Sequence, residues 1–250
     1  MRHDLADRYS HLDSPVHRLD PRIKIIAALA GILIIVSEPR YGEPIPFLFY
    51  SSVVIIVAAF SKVPPVYILK RLLIVSPFIL MAAFFYPLSV YLSKSEFFLE
   101  NRQIIISAGL TILFKSFLSV IILIILGSTE KLHRLLHALR KLKMPSLITT
   151  ISALLYRYVF LIADEALKTS RARESRTPGH IRTGRIKAMG NQVAVIFLRS
   201  WERSQFIYKS MLSRGFKGEF PDMEISRLGL TDIVFSGLFI ILLLLIRIFL

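Results

Sequence analysis

The charge of this chain is segregated from its apolar residues, and that segregation decides what it can fold into. Five stretches, residues 23–37, 45–60, 72–92, 104–127 and 230–250, hold only Lys24, Lys115, Asp232 and Arg247 as charged residues. Cations dominate the remainder: Lys+Arg number 32 against 17 Asp+Glu, a formal net charge of +15, beside 54% hydrophobic residues. A nucleic-acid-binding domain would spread its positive charge over a shell around a modest core. This balance therefore excludes nucleic acid as the partner and describes an all-α polytopic membrane protein with one large water-facing part. With no cysteine, an extracellular disulfide scaffold is excluded as well.

The region before the first stretch is long and carries Asp4, Asp7, Asp13 and Asp20, and Ser37-Glu38-Pro39 follows it. Those flanks predict a retained segment, not a cleaved signal peptide. At ~1.5 Å per residue, stretches 72–92, 104–127 and 230–250 cover a hydrocarbon core of ~30 Å, whereas the first two fall short. The link 38–44 between those two is rich in helix breakers, and Pro64-Pro65 ends the second. Both are expected to span, tilted or in thinned bilayer.

Charge sets the topology. With five spans and a cytoplasmic N-terminus, the inner segments 1–22, 61–71 and 128–229 carry 4, 3 and 19 Lys/Arg, and the outside receives Arg40, Lys94 and Arg102. A sixth apolar run, 147–163, holds Arg157 near its middle. Were it to span, 13 of those 19 cations would move outside. It would also place a charge costing about 2.5–3.5 kcal/mol at mid-bilayer. It is therefore expected not to span. The predicted organisation is a four-span membrane domain (1–127), a cytoplasmic module (128–229) and a final span (230–250) in the plasma or inner membrane.

Within the module, Ser128-Thr129-Glu130 is predicted to cap a short basic amphipathic helix with Leu132, Leu135, Leu136, Leu139 and Leu142 on one stripe. Such a helix beside a span lies at the interface or on a membrane partner. A second helix, about 146–175, is apolar through Ile148, Ile151, Leu154, Leu155, Tyr158 and Ile162 and polar from Lys168 on, with Thr177-Pro178-Gly179 ending it. A third, about 185–214, repeats Ile186, Met189, Val193, Ile196, Ser200, Ser204, Ile207 and Met211 at a spacing suited to helix pairing, before Gly215 and Gly218. Joined by a short connection, the two long helices are expected to cross or lie antiparallel.

Each long helix ends in arginine: Ser170-Arg171-Ala172-Arg173-Glu174-Ser175-Arg176, and Ser213-Arg214-Gly215-Phe216. Arginine at a helix C-terminus and glycine just beyond it are ordinary capping chemistry. Two such endings on one protruding module also suit insertion into acidic grooves, because a guanidinium bonds carboxylates bidentately.

On these residues the chain resembles the transmembrane (T) component of energy-coupling factor transporters, of the cobalt and nickel type. In that family two coupling helices end in Ala-Arg-Gly or Ala-Arg-Ser motifs that dock into two cytoplasmic ATP-binding-cassette ATPases. Ala172-Arg173-Glu174 and Ser213-Arg214-Gly215 match, with Glu174 in place of a small residue and Ser213 in place of alanine. His17-Arg18-Leu19-Asp20-Pro21-Arg22-Ile23-Lys24 and the 214–218 run are also similar to the family. The resemblance implies about five transmembrane helices plus a cytoplasmic module of one short amphipathic and two long coupling helices. It further implies Arg173 and Arg214 as ATPase anchors, with Arg171 and Arg176 as helpers. Leu132, Leu135, Leu136, Leu139, Leu142, Ile151 and Leu155 would contact a separate substrate-binding membrane subunit. The chain would bind no cofactor, its partners would bind ATP, and the cargo would be cobalt or nickel, or alternatively a vitamin.

No Gly-x-x-x-x-Gly-Lys-Ser/Thr loop occurs, so the chain is not itself the ATPase. His133 and His137 have metal-ligand spacing but no third ligand nearby, and are read as surface. Lys115 is expected to meet a structural partner ahead of lining a transport path, and Arg157, Asp164 and Glu165 to form an ion network with Arg199, Glu202 or Arg203. Two other classes compete: a membrane enzyme using Arg157, Asp164 and Glu165 on lipid-linked substrates, and a transporter that binds cargo within its own spans. The second would need a repeat that the sequence lacks.

Overall fold

The computed structural model describes residues 12–39, 44–92, 102–176, 185–218 and 229–249, and among them every regular element is an α-helix. In chain order these are α1 (Pro15–Arg18), α2 (Pro21–Val36), α3 (Pro44–Phe60), α4 (Pro65–Leu92), α5 (Arg102–Thr129), α6 (Leu132–Lys141), α7 (Ser146–Arg176), α8 (Arg185–Ser213) and α9 (Leu230–Phe249). They form two compact units, one comprising Met1–Ala138 with Ile225–Leu250, the other Leu139–Glu224. Among the described residues, four helices are long and apolar enough to cross a membrane, Pro65–Ser89, Ser107–Thr129, Ser146–Ser175 and Leu230–Phe249, and Ile45–Phe60 is a shorter apolar one. The chain is an all-α, multi-pass membrane protein. α7 meets the requirement of length and apolarity; the argument that keeps it out of the span count is charge, through Arg157 and the cations that follow.

In the first unit α2 packs on α5 and α9, α3 joins both of those, and α4 lies along α5. Their shared core includes Ile35, Tyr50, Val54, Leu118, Ile122 and Leu243. Lipid supplies no hydrophobic drive between helices, so close packing has to hold them. At Gly31 a Cβ would stand 3.0 Å from a ring carbon of Phe239, and its absence lets α9 approach.

Two prolines interrupt α4. Pro77 cannot donate to the carbonyl of Leu73, four residues back; the Ser76 hydroxyl donates to it instead, at 2.9 Å. Pro87 likewise frees the carbonyl of Ala83, which lies where a Cβ on Gly109 of α5 would come within 3.1 Å. The serine bond to Leu73 is the kind of local re-satisfaction that lets proline sit inside a membrane helix.

α2 has 16 residues, so it is only about 24 Å long. Its last carbonyls end short of the ~30 Å hydrocarbon thickness, where unsatisfied groups cost several kcal/mol each. Two intramembrane cations cover them. Lys115 Nζ donates to the carbonyls of Val36 at 3.0 Å and Glu38 at 2.7 Å, and Arg247 donates to Ser37 O and Oγ, both at 3.3 Å. Beside them the buried Glu38 carboxylate accepts the Tyr50 hydroxyl at 2.9 Å. Lys115 therefore has the structural partner expected of it. Replacing it with Met should cost about 1–3 kcal/mol, read as a lowered melting temperature in detergent. An uptake defect at unchanged stability would return it to a transport path.

The other charges of the apolar stretches are placed too. Asp232 accepts the Gly229 N–H at 3.1 Å, the reciprocal half of a capping box at the start of α9. Ser128 and Thr129 correct an expectation. Instead of capping the next helix, they close the last turn of α5, donating to Ile124 O at 2.7 Å and Leu126 O at 3.3 Å. α6 begins only at Leu132.

Candidate coupling surface

The stretch His17 to Lys24 folds into a small knot at the start of α2. Ser14 caps α1, accepting the His17 N–H at 3.3 Å, with its hydroxyl 2.7 Å from His17 Nδ1. Asp20 caps α2 by accepting the Arg22 N–H at 2.9 Å, and Pro21 occupies the first helical position. Arg18 grips both oxygens of the exposed Asp13, at 2.9 and 2.8 Å, and holds that carboxyl below its ordinary range. A pair so exposed contributes little stability.

Lys24 points the other way. Its ammonium donates to the His17 carbonyl at 3.2 Å and pairs with Glu130. Both side chains are buried, 6% and 2% exposed. Glu130 is the residue on which the chain leaves α5, so the beginning of the first span is tied to the end of the fourth. Sequence reasoning noted the motif around Lys24 but not this partner, which lies 106 residues away.

On α6, Leu135, Leu136 and Leu139 are half-buried, and Leu132 and Leu142 exposed. The helix closes with the Met144 N–H bonding Leu139 O and the Lys143 N–H bonding Arg140 O, both at 3.1 Å. This is a Schellman turn. It forces Lys143 to φ 67°, a position glycine usually holds. Lys143→Gly should stabilise the protein by about 1 kcal/mol, measured as a raised melting temperature.

In the second unit α7 and α8 run antiparallel. Gln192 Nε2 donates to Ala166 O at 3.4 Å, Arg199 pairs with Glu165, and Ile207 and Met211 share a groove with Tyr158 and Leu154. Higher positions on α8 thus meet lower positions on α7. Arg173 lies beyond the Ala166 contact at one end, and Arg214 lies past Met211 at the other. From Gln192 to Arg214 the helix runs about 30 Å, so the two arginine endings are held well apart.

Their local construction differs. Arg214 is the exposed C-cap residue of a Schellman turn: the Gly215 N–H bonds Leu212 O at 2.9 Å and the Phe216 N–H bonds Met211 O at 3.0 Å. Gly215 takes φ 79°, which only glycine adopts cheaply. The turn set by Gly215 therefore also fixes the backbone from which Arg214 projects. At the other ending, Arg171, Ala172 and Glu174 are exposed and Arg173 is half-buried. Ser170 Oγ donates to Glu174 Oε1 at 3.3 Å, holding the carboxylate along the helix, and Ser175 Oγ donates to Ala172 O at 3.0 Å. Arg176 is the last residue of α7, and Thr177-Pro178-Gly179 lies outside the described residues.

Large apolar side chains are left uncovered, among them Ile151 at 53% and Leu155 at 65% exposure. A soluble surface rarely shows so much, and a partner or bilayer is its usual cover. The α8 stripe pairs over only part of its length: Ile196, Ser200, Ile207 and Met211 are half-buried, whereas Ile186, Met189, Val193 and Ser204 are exposed. The expected ion network forms at Glu165–Arg199, while Arg157 stands 5.9 Å over the Tyr158 ring and lines a groove with Arg203. Around His133 and His137, as elsewhere among the described residues, no three potential ligands gather for a metal.

A family model described as CbiQ, cobalt transport protein, matches residues 13–225. The chain is 24% identical over 249 residues to the uncharacterized protein MJ1089 of Methanocaldococcus jannaschii, covering 96% of this chain and 91% of that one. It is 22% identical over 230 residues to the energy-coupling factor transporter transmembrane protein EcfT of Staphylococcus aureus, covering 85% and 83%. With the cobalt transport protein CbiQ of Rhodobacter capsulatus it shares 27% identity over 94 residues, 38% of each chain.

Proposed function

We propose that this chain, which belongs to the CbiQ cobalt transport protein family, is the coupling subunit of an ATP-driven importer. It is a transmembrane transporter component; the finer reading concerns how it works. The observation that carries it is the pair of arginine-bearing helix ends, Arg173 and Arg214, held at opposite ends of one antiparallel pair. Two separated anchors suit two cytoplasmic ATPases, one on each. When ATP draws those ATPases together, their approach would be felt as a force on the two ends of α7 and α8. The uncovered faces at Ile151 and Leu155, with the leucine stripe of α6, would pass that motion to a substrate-binding membrane subunit. In this reading the second unit lies in the cytoplasm, the membrane is the cell membrane, and the chain performs no catalysis of its own. The names of the family and of its CbiQ relative favour cobalt, or the chemically similar nickel, as cargo.

The test is retrieval of the tagged full chain from its native membrane in mild detergent, with co-purifying proteins identified by mass spectrometry. One or two cassette ATPases together with a small hydrophobic subunit are expected. A chain recovered alone, under conditions that keep other membrane complexes whole, overturns the reading.

A further inference from the structure

The outward face of α4 changes its chemistry at one level. The helix lies along α5, with Ile79 and Ala83 buried on its packed side. Val66, Leu69, Leu73 and Ile74 recur every three or four residues on the other side and are 60% to 75% exposed. Lys70 belongs to the same stripe and is exposed too. Its neighbour Arg71 holds its guanidinium 4.8 Å from the centre of the Tyr67 ring, a cation–π contact that steadies the planar fork beside Lys70. Both cations directly precede the apolar stretch 72–92. They therefore mark the edge of the hydrocarbon, and the stripe runs down from them into it.

Whatever covers this face has to be apolar over Leu73 and Ile74 and negative over Lys70 and Arg71. A phospholipid has that order along its length, phosphate above acyl chain, and an arginine fork bonds phosphate through two parallel N–H groups. An anionic headgroup adds the net charge that basic residues at a membrane edge attract. The segment itself carries charge of one sign, since residues 44–95 contain no Asp or Glu. A third cation, Lys62, is exposed on the turn between α3 and α4. Asp13 lies within its field, so the headgroup falls to the other two. We propose that the start of α4 binds an anionic phospholipid, its headgroup on Lys70 and Arg71 and an acyl chain along Leu73 and Ile74.

The chain has no cysteine, so Ile74→Cys carries a single bimane label, and Leu238→Cys, on the exposed side of α9, serves as reference. The labelled full-length chain, in vesicles of dioleoyl phosphatidylcholine, is given rising mole fractions of dibrominated phosphatidylglycerol or dibrominated phosphatidylcholine, whose bromines quench bimane on contact. At Ile74, half-quenching is expected at a mole fraction of phosphatidylglycerol at least about fivefold lower, the effect of one cation on an anionic lipid. With Lys70→Gln and Arg71→Gln together the two lipids should quench alike, whereas Lys70→Arg should keep the preference. Unchanged helix content and melting temperature would show that the variants fold. Equal quenching by the two lipids at Ile74, a preference that survives the double Gln change, or the same preference at Leu238 would each overturn the proposal. So would a photo-crosslinker at Ile74 that, in the native membrane, captured a protein in place of phospholipid. These variants leave Arg173 and Arg214 intact, so retrieval of ATPases reports separately on the coupling role.

Discussion

Replacing Arg173 and Arg214 together with alanine is expected to abolish recovery of the ATPases with this chain, while each single replacement leaves part of it. A charge-assisted hydrogen bond to a partner carboxylate contributes about 1.5–3 kcal/mol, and truncating one member of a desolvated charge pair costs about 2–5 kcal/mol. Two anchors on one body make the second contact intramolecular, so a single loss is cushioned by the remaining anchor and a double loss is not. Lysine at both positions keeps the charge but loses the bidentate fork, and should fall between. The fold should survive, because Arg214 is an exposed cap residue whose turn is set by Gly215. Recovery of stoichiometric ATPases with the double alanine variant would sink the coupling role assigned to these ends.

Breaking the Lys24–Glu130 pair is the second large effect. With both side chains almost fully buried, removing either one strands the other charge, at a cost of about 3–5 kcal/mol. Lys24→Met alone and Glu130→Gln alone should each lower the melting temperature sharply. The variant carrying both should recover much of the loss, since replacing a whole buried pair by uncharged groups is often near neutral. Additive losses in that double-mutant cycle, measured by thermal unfolding in detergent, would show that the two groups do not depend on each other. Rescued stability with lost transport would identify the tie as part of the mechanism, because it joins the start of one span to the exit of another.

The helical class was legible because apolar runs and charge blocks are local patterns. The end of α8 was legible for the same reason: Gly215 directly after Arg214 is a signal within four residues. What escaped was long-range. Nothing near Lys24 names Glu130, and nothing near Lys115 announces that its ammonium caps α2, because partners brought together by packing leave no mark at either site. Where local signals were ambiguous they misled. Ser128 and Thr129 look like an N-cap, but a hydroxyl at a helix end can equally bond backward to its own last turn. The α8 stripe reads as continuous, yet an antiparallel partner meets only part of it and leaves Ile186 and Val193 exposed.

The shortness of α2 bears on the membrane around it. At 16 and 17 residues, α2 and α3 are about 24 to 26 Å long. The apolar stretches within α4 and α5, residues 72–92 and 104–127, reach about 32 and 36 Å. One unit thus presents lipid with walls of two heights. A bilayer accommodates the short wall by thinning and the tall one by tilt, at fractions of a kcal/mol per ångström of mismatch. With α3 spanning, lipid chains beside it would be compressed before any neighbour arrives. A subunit that settled there would relieve that compression, so the bilayer itself would favour one flank of this protein over the other as a place to assemble.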